Sequence, residues 1–163
     1  MKNKIMLLII LVCTILSGCS KVDKKQEISR EAAARKVINA MSTGPNEDLC
    51  NESAFSMIGE GVDLPLEKGE DWKELKQNWQ TLIGEYFAID ALDTFLEYGP
   101  AIQFLSEAYF KGTIMSVEKI EIVQKEAQTE VYLIHWIIGE EKRQDKIFFR
   151  YNSEDLIEEV KIL

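Results

Sequence analysis

Imidazole titrates near neutral pH, and His135 is the only histidine in this 163-residue chain. It lies in Thr129–Ile138 (TEVYLIHWII), where it could serve as a general base. On an extended strand it shares a face with Val131, Leu133 and Ile137, and no Asp or Glu stands at i±2 to orient it. A carboxylate from a helix could still orient it. The same apolar surroundings suit a packed strand residue, which is the simpler reading. Asp90 and Asp93 interrupt an apolar stretch and would either pair at a pocket mouth or, three residues apart, share one solvated helix face. The solvated face is again simpler. Cys50 could be a nucleophile or form an intermolecular bridge, but a lone small thiol in Leu49-Cys50-Asn51-Glu52 reads as packed. Gly59-Glu60-Gly61 suggests a phosphate cradle. Glu60 and Asp63 would repel an anion, however, no strand precedes it and no Lys-Ser/Thr follows. Cys-x-x-Cys, His-Glu-x-x-His and Asp-x-Asp-x-Asn-Gly spacings are missing, as is a Gly-x-Ser-x-Gly elbow. We expect neither a metal nor a cofactor.

A different chemistry is written at the start of the chain. Lys2 and Lys4 precede Ile5–Leu16 (IMLLIILVCTIL), a nearly unbroken apolar run followed by Ser17-Gly18-Cys19. These are the basic, apolar and small-residue parts of a secretory signal. A membrane-spanning helix needs about 20 apolar residues, and this run is shorter. A core helix would not open Lys-Asn-Lys and then run three turns without a polar face. Leu16-Ser17-Gly18-Cys19 resembles the lipobox of bacterial lipoproteins. The resemblance implies cleavage between Gly18 and Cys19, acylation of the Cys19 sulfur, and attachment to the extracytoplasmic face of the cell membrane. One acyl chain holds a protein only marginally, whereas the two of a diacylglycerol hold it stably. Asn51-Glu52-Ser53 matches a glycosylation sequon that such a protein would not normally use.

The formal net charge is −9, and loss of Lys2 and Lys4 with the leader takes it to −11. Nucleic-acid binding needs a basic footprint, so that class is set aside. Electrostatic docking to anionic lipid is set aside for the same reason. The acidity serves solubility. Cys13 would leave with the leader and Cys19 would carry lipid, so Cys50 is left as the free thiol and no internal disulfide can form.

The chain therefore divides into a leader (1–18), a lipidated cysteine and polar tether (19–28), and one domain (29–163). Ser29 is placed to cap a helix over Arg30–Met41, stopped by Gly44-Pro45. A second helix is expected over Glu47–Met57, then a loop through Gly69. Trp72, Leu75, Trp79, Leu82 and Tyr86 recur at three- and four-residue steps, with Ile83 and Phe87 widening the stripe. The pattern runs on to Leu96 with a break or bend at Gly84, and Trp79 is expected to be buried. Trp72, Trp79, Tyr86 and Phe87 read as a core seam, though such rings also line apolar ligand cavities. Ala101–Phe110 closes the helical half. Four strands follow with a period of two: Thr113–Val123, Thr129–Ile138, Lys146–Tyr151 and Leu156–Leu163, joined by short polar connections. Thr129–Ile138 reads as apolar on both faces.

Helices first and an antiparallel meander after them define an α+β fold, with N-terminal helices packed on a curved four-stranded antiparallel sheet. This order resembles the nuclear transport factor 2-like (cystatin-like) superfamily, over roughly residues 27–163. The resemblance implies a cone-like bent sheet around a helix. It implies either a binding or accessory domain, or a small isomerase or hydrolase with a pocket base, for which His135 is the candidate here. The leading expectation is a non-enzymatic envelope protein whose partners are the membrane, through its lipid, and a protein or apolar small molecule. A structural or immunity-type envelope protein is a third class.

Overall fold

The computed structural model describes residues 29–52, 70–98 and 100–163. The expected leader, Cys19, the expected tether and the expected loop through Gly69 lie outside the described residues. Helix α1 spans Arg30–Ser42. It begins where expected because the Ser29 hydroxyl accepts the Ala32 amide at 3.2 Å. Its buried stripe is Ala33, Ala34, Val37, Ile38 and Met41. Residues 46–51 form turns on the Asn46 carbonyl, which accepts the amides of Leu49 and Cys50. Of the helix expected over Glu47–Met57, residues 47–51 are therefore turns and bends, and residues 53–57 lie outside the described residues.

Helix α2 spans Glu70–Ile83 and buries Trp72, Leu75, Trp79 and Ile83. Leu82, counted in the sequence stripe, is instead 47% exposed. At 100° per residue it falls about 80° from Trp72 on the helix, whereas Ile83 falls within about 20°. The bend at Gly84 is more than a kink. A 3₁₀ turn (Gly84–Tyr86) leads into an extended Phe87 that bridges Ile157 in parallel, and the Ala88 amide donates to the Ile157 carbonyl at 2.9 Å. Asp90 then adopts a left-handed conformation (φ 64°) before helix α3, Ala91–Glu97. Helix α4 covers Gln103–Lys111 and ends on Gly112 (φ 57°), a position where glycine avoids the strain of a Cβ.

The strands are β1 (Met115–Lys125), β2 (Thr129–Ile138), β3 (Glu141–Tyr151) and β4 (Ile157–Ile162). They form one open antiparallel sheet in sequence order. The α+β class is as the sequence indicated. β3 starts five residues earlier than its apolar pattern suggested, because β2 turns back through only Gly139 and Glu140. Its first half, Glu141-Lys142-Arg143-Gln144-Asp145, reads as a loop, yet two of those polar tips engage a neighbouring ring. Asp145 accepts the Trp136 indole N–H at 2.6 Å, and the Arg143 guanidinium lies over the Trp136 ring at 5.5 Å.

Two layers enclose the core. Tyr132, Ile134, Trp136 and Ile138 of β2 share the inner face with Ile147, Phe149 and Tyr151 of β3. Rings interlock across it: Phe104 meets Trp136 at 4.7 Å, Tyr132 meets Phe149 at 5.5 Å, and Trp79 meets Phe95 at 5.9 Å between ring centres. The opposite face of β2 is only half-buried at Leu133, His135 and Ile137, so the expectation of core on both faces holds for one. Among the described residues no helix is long and apolar enough to cross a membrane. Trp79 is fully buried and its indole donates to the Leu49 carbonyl at 2.9 Å. Trp79→Ala is expected to cost about 3–5 kcal/mol in chemical denaturation; a loss under about 1 kcal/mol would contradict this packing.

Candidate functional site

Three groups of side chains with chemical potential can be placed. The first centres on Glu130, which sequence reasoning missed. It follows Thr129 at the start of β2, and alternation turns it to the inner face beside Tyr132. It is 0% exposed. Its Oε2 accepts the Tyr132 hydroxyl at 2.5 Å and the Tyr151 hydroxyl at 3.2 Å. Lys125, directly opposite on β1, brings its Nζ to 2.8 Å from Oε1, an ion pair without an aligned hydrogen bond. Burial pushes the carboxyl pKa up, but Lys125 and the two phenols outweigh that and hold it below the usual range. The same burial, with the carboxylate beside them, pushes both tyrosine pKa values well above the ordinary phenol range.

This cluster continues to the start of α1. The Tyr151 hydroxyl lies 3.4 Å from the Arg30 carbonyl, and the Arg30 guanidinium sits 5.1 Å from the centre of the Tyr151 ring. Arg30 also donates to the Ala127 carbonyl (2.5 Å) in the β1–β2 turn and to Asp155 Oδ1 (2.6 Å) in the β3–β4 turn. Glu130 thus joins β1, β2, β3 and α1 while keeping its charge buried. The signal available in the sequence was weak: an acid two residues before a tyrosine, on the side of the strand that alternation assigns to the core.

His135 forms the second group. It lies on the outer face, away from the helices. Its Nε2 is 2.9 Å from Glu121 Oε2 on β1, and its Nδ1 is 3.2 Å from the Gln144 amide nitrogen on β3. An amide N–H donated to Nδ1 leaves the proton on Nε2, facing Glu121; this tautomer is assigned from the hydrogen bonds. The orienting carboxylate thus comes from a neighbouring strand, not from a helix, since cross-strand partners are invisible to i±2 spacing. Lys119 hydrogen-bonds Glu121 and lowers its pKa, with His135 adding to that effect against a smaller opposing pull of burial. Both imidazole nitrogens are engaged, and no described cleft opens onto them.

Asp90 and Asp93 form the third group. Asp90 precedes α3 instead of sharing its face with Asp93, and both line a shallow cleft of about 320 Å³ with Lys76, Gln80 and Phe87. Lys76 Nζ pairs with Asp93 at 2.7 Å. A second open cleft of about 330 Å³ adjoins it across Ala88, Ile89 and Asp90 and includes Arg150 and Glu158. Cys50 is elsewhere, 1% exposed, and burial pushes its thiol up to about 11. It is therefore a packed thiol at neutral pH, not an activated nucleophile. Among the described residues no group of three or more acidic, histidine or cysteine side chains is arranged to hold a metal ion.

No protein family, curated protein or solved structure matches this chain.

The depressed Glu130 pKa has a definite sign in stability. Its stabilisation is present above the ordinary carboxylate pKa of about 4.3 and is lost as pH falls through the lower folded value. Glu130→Gln is expected to destabilise the domain by about 1.5–3 kcal/mol at pH 7. The gap between wild type and variant should shrink when denaturation is repeated below about pH 4. A gap that is constant across this range would mean Glu130 is not ionised in the fold.

Proposed function

We propose that this chain is a bacterial lipoprotein, anchored through acylated Cys19 to the extracytoplasmic face of the cell membrane. Its domain binds a protein partner through its surface and is not an enzyme. Leu16-Ser17-Gly18-Cys19 behind a short apolar run supports the anchor. The reading of the domain rests chiefly on one observation: Trp72, Trp79 and Tyr86 are buried in the core, and Phe87, also buried, packs against Phe95 where it borders the shallow Lys76–Asp93 cleft. The engagement of both His135 nitrogens argues in the same direction against a general base. Ile89, Phe110 and Ile114 stand 93%, 71% and 74% exposed. Helices followed by closing antiparallel strands also keep the resemblance to nuclear transport factor 2-like domains within this proposal.

Two measurements test it. Cys19→Ala should abolish acylation and leave the chain unprocessed or free of lipid, as read by mass analysis of its N-terminus. A wild-type chain that begins elsewhere than Cys19 and carries no lipid would refute the anchor. His135→Gln should alter the melting curve modestly and still complement a deletion strain. General-base loss would instead reduce a rate by about 10²–10⁴ with the fold intact, and a folded variant that fails to complement would favour the small isomerase or hydrolase reading.

A further inference from the structure

We infer that the anchored domain presents one defined end to the bilayer, the end formed by the β1–β2 and β3–β4 hairpins, and holds the β2–β3 hairpin outermost. The inference rests on the lipoprotein reading for the presence of the anchor, and on the fold for the direction. Arg30, the first residue of α1, is fastened to both near hairpins through the Ala127 carbonyl and Asp155, and its guanidinium packs against the Tyr151 ring. The point at which the tether joins the domain is therefore fixed at that end.

The far end is equally defined. α1 ends at Ser42, two residues before Gly44, whose amide and carbonyl exchange hydrogen bonds with Met115 at 3.0 and 2.7 Å. Met115 pairs with Ile138, immediately before the Gly139–Glu140 turn. The Gly139 amide donates to the Ile114 carbonyl at 2.9 Å, and a Cβ at Gly139 would meet the Thr113 hydroxyl at 2.8 Å, closing this corner. Ten residues of β2 separate the two ends by about 33 Å.

Residues 19–28 are ten in number and so can span at most about 35 Å. Such a tether cannot carry the near hairpins much beyond one domain height. Because the bilayer excludes the domain's volume, a body attached at one end keeps its other end farther out on average. The near end carries Glu31, Glu126, Glu154 and Asp155 alongside Arg30 and Lys125, whose charges are taken by Asp155 and Glu130. That acidic balance keeps this end from adhering to anionic lipid. The surface around Phe110, Ile114 and Glu140 is thereby left facing away from the membrane.

The test uses the lipidated full chain in phosphatidylcholine vesicles bearing an energy acceptor on their headgroups. A donor is placed by cysteine substitution at Ala127, Ser153 or Glu140; Cys50 is buried and Cys19 is acylated. Energy transfer from positions 127 and 153 should clearly exceed that from 140, because about one strand length separates them. Equal transfer, or more from 140, would overturn the inference. A parallel set carries six histidines in place of residues 1–18 and Ser in place of Cys19, held on nickel-chelating lipid. If wild-type chain proves unlipidated, the lipoprotein reading fails while this set still decides the direction. Two near positions guard against a single substitution that perturbs its turn.

Discussion

A charged carboxylate buried among aromatic rings constrains this domain more than any other single feature. Glu130 is fully enclosed, so its charge must be matched where it sits or the fold loses several kcal/mol. The matching groups come from three strands: Lys125, Tyr132 and Tyr151. Register follows from that requirement. A slip of one residue in β2 would turn Glu130 and Tyr132 to the outer face and carry Leu133 and His135 inward, leaving two phenols without their acceptor. Through Tyr151 the same cluster reaches Arg30, so the pairing of the sheet and the seating of the first helix are coupled.

The rest of the architecture extends outward from this constraint. Beyond Tyr132, β2 contributes Ile134, Trp136 and Ile138 to an interior shared with α1, α2, α3 and α4. At the opposite end of the sheet the polar closure is repeated in another form. Trp136 is held between Asp145, which takes its N–H, and Arg143, which covers its ring and pairs with Glu107. Lys111 and Arg143 hydrogen-bond Glu107 and keep its carboxyl below the ordinary range, against the smaller effect of burial. These pairs are partly exposed, so each adds little alone; they cover the ends of an apolar layer with charge and keep them soluble.

Position also decides what each reactive residue type touches among the described residues. His135 bridges Glu121 and Gln144 across three strands. Cys50 is buried with a raised thiol pKa, and Asp93 is neutralised by Lys76. The described clefts flank the Ala88–Asp90 turn, where Ile89 projects from a backbone fastened to β4.

Local order was legible in the sequence because local physics sets it. Ser29 marked the start of α1, the Trp72–Trp79 spacing marked the face of α2, and Thr129–Ile138 delimited β2 to the residue. The proposed leader rests likewise on a local pattern, that of charge, apolar length and the residues before Cys19. What the tertiary structure decided were the relations between segments. Glu141–Asp145 reads as a loop until Trp136 supplies partners for its charges. The stretch after Ile83 reads as a bent helix until Ile157 offers Phe87 and Ala88 a strand to join. The role of His135 turned on Glu121 and Gln144, fourteen and nine residues away, and that of Glu130 on phenols from two strands. Periodicity reports which side of an element a residue occupies. It carries no information on what the neighbouring element places opposite, and a buried charge or an engaged imidazole is defined by that neighbour alone.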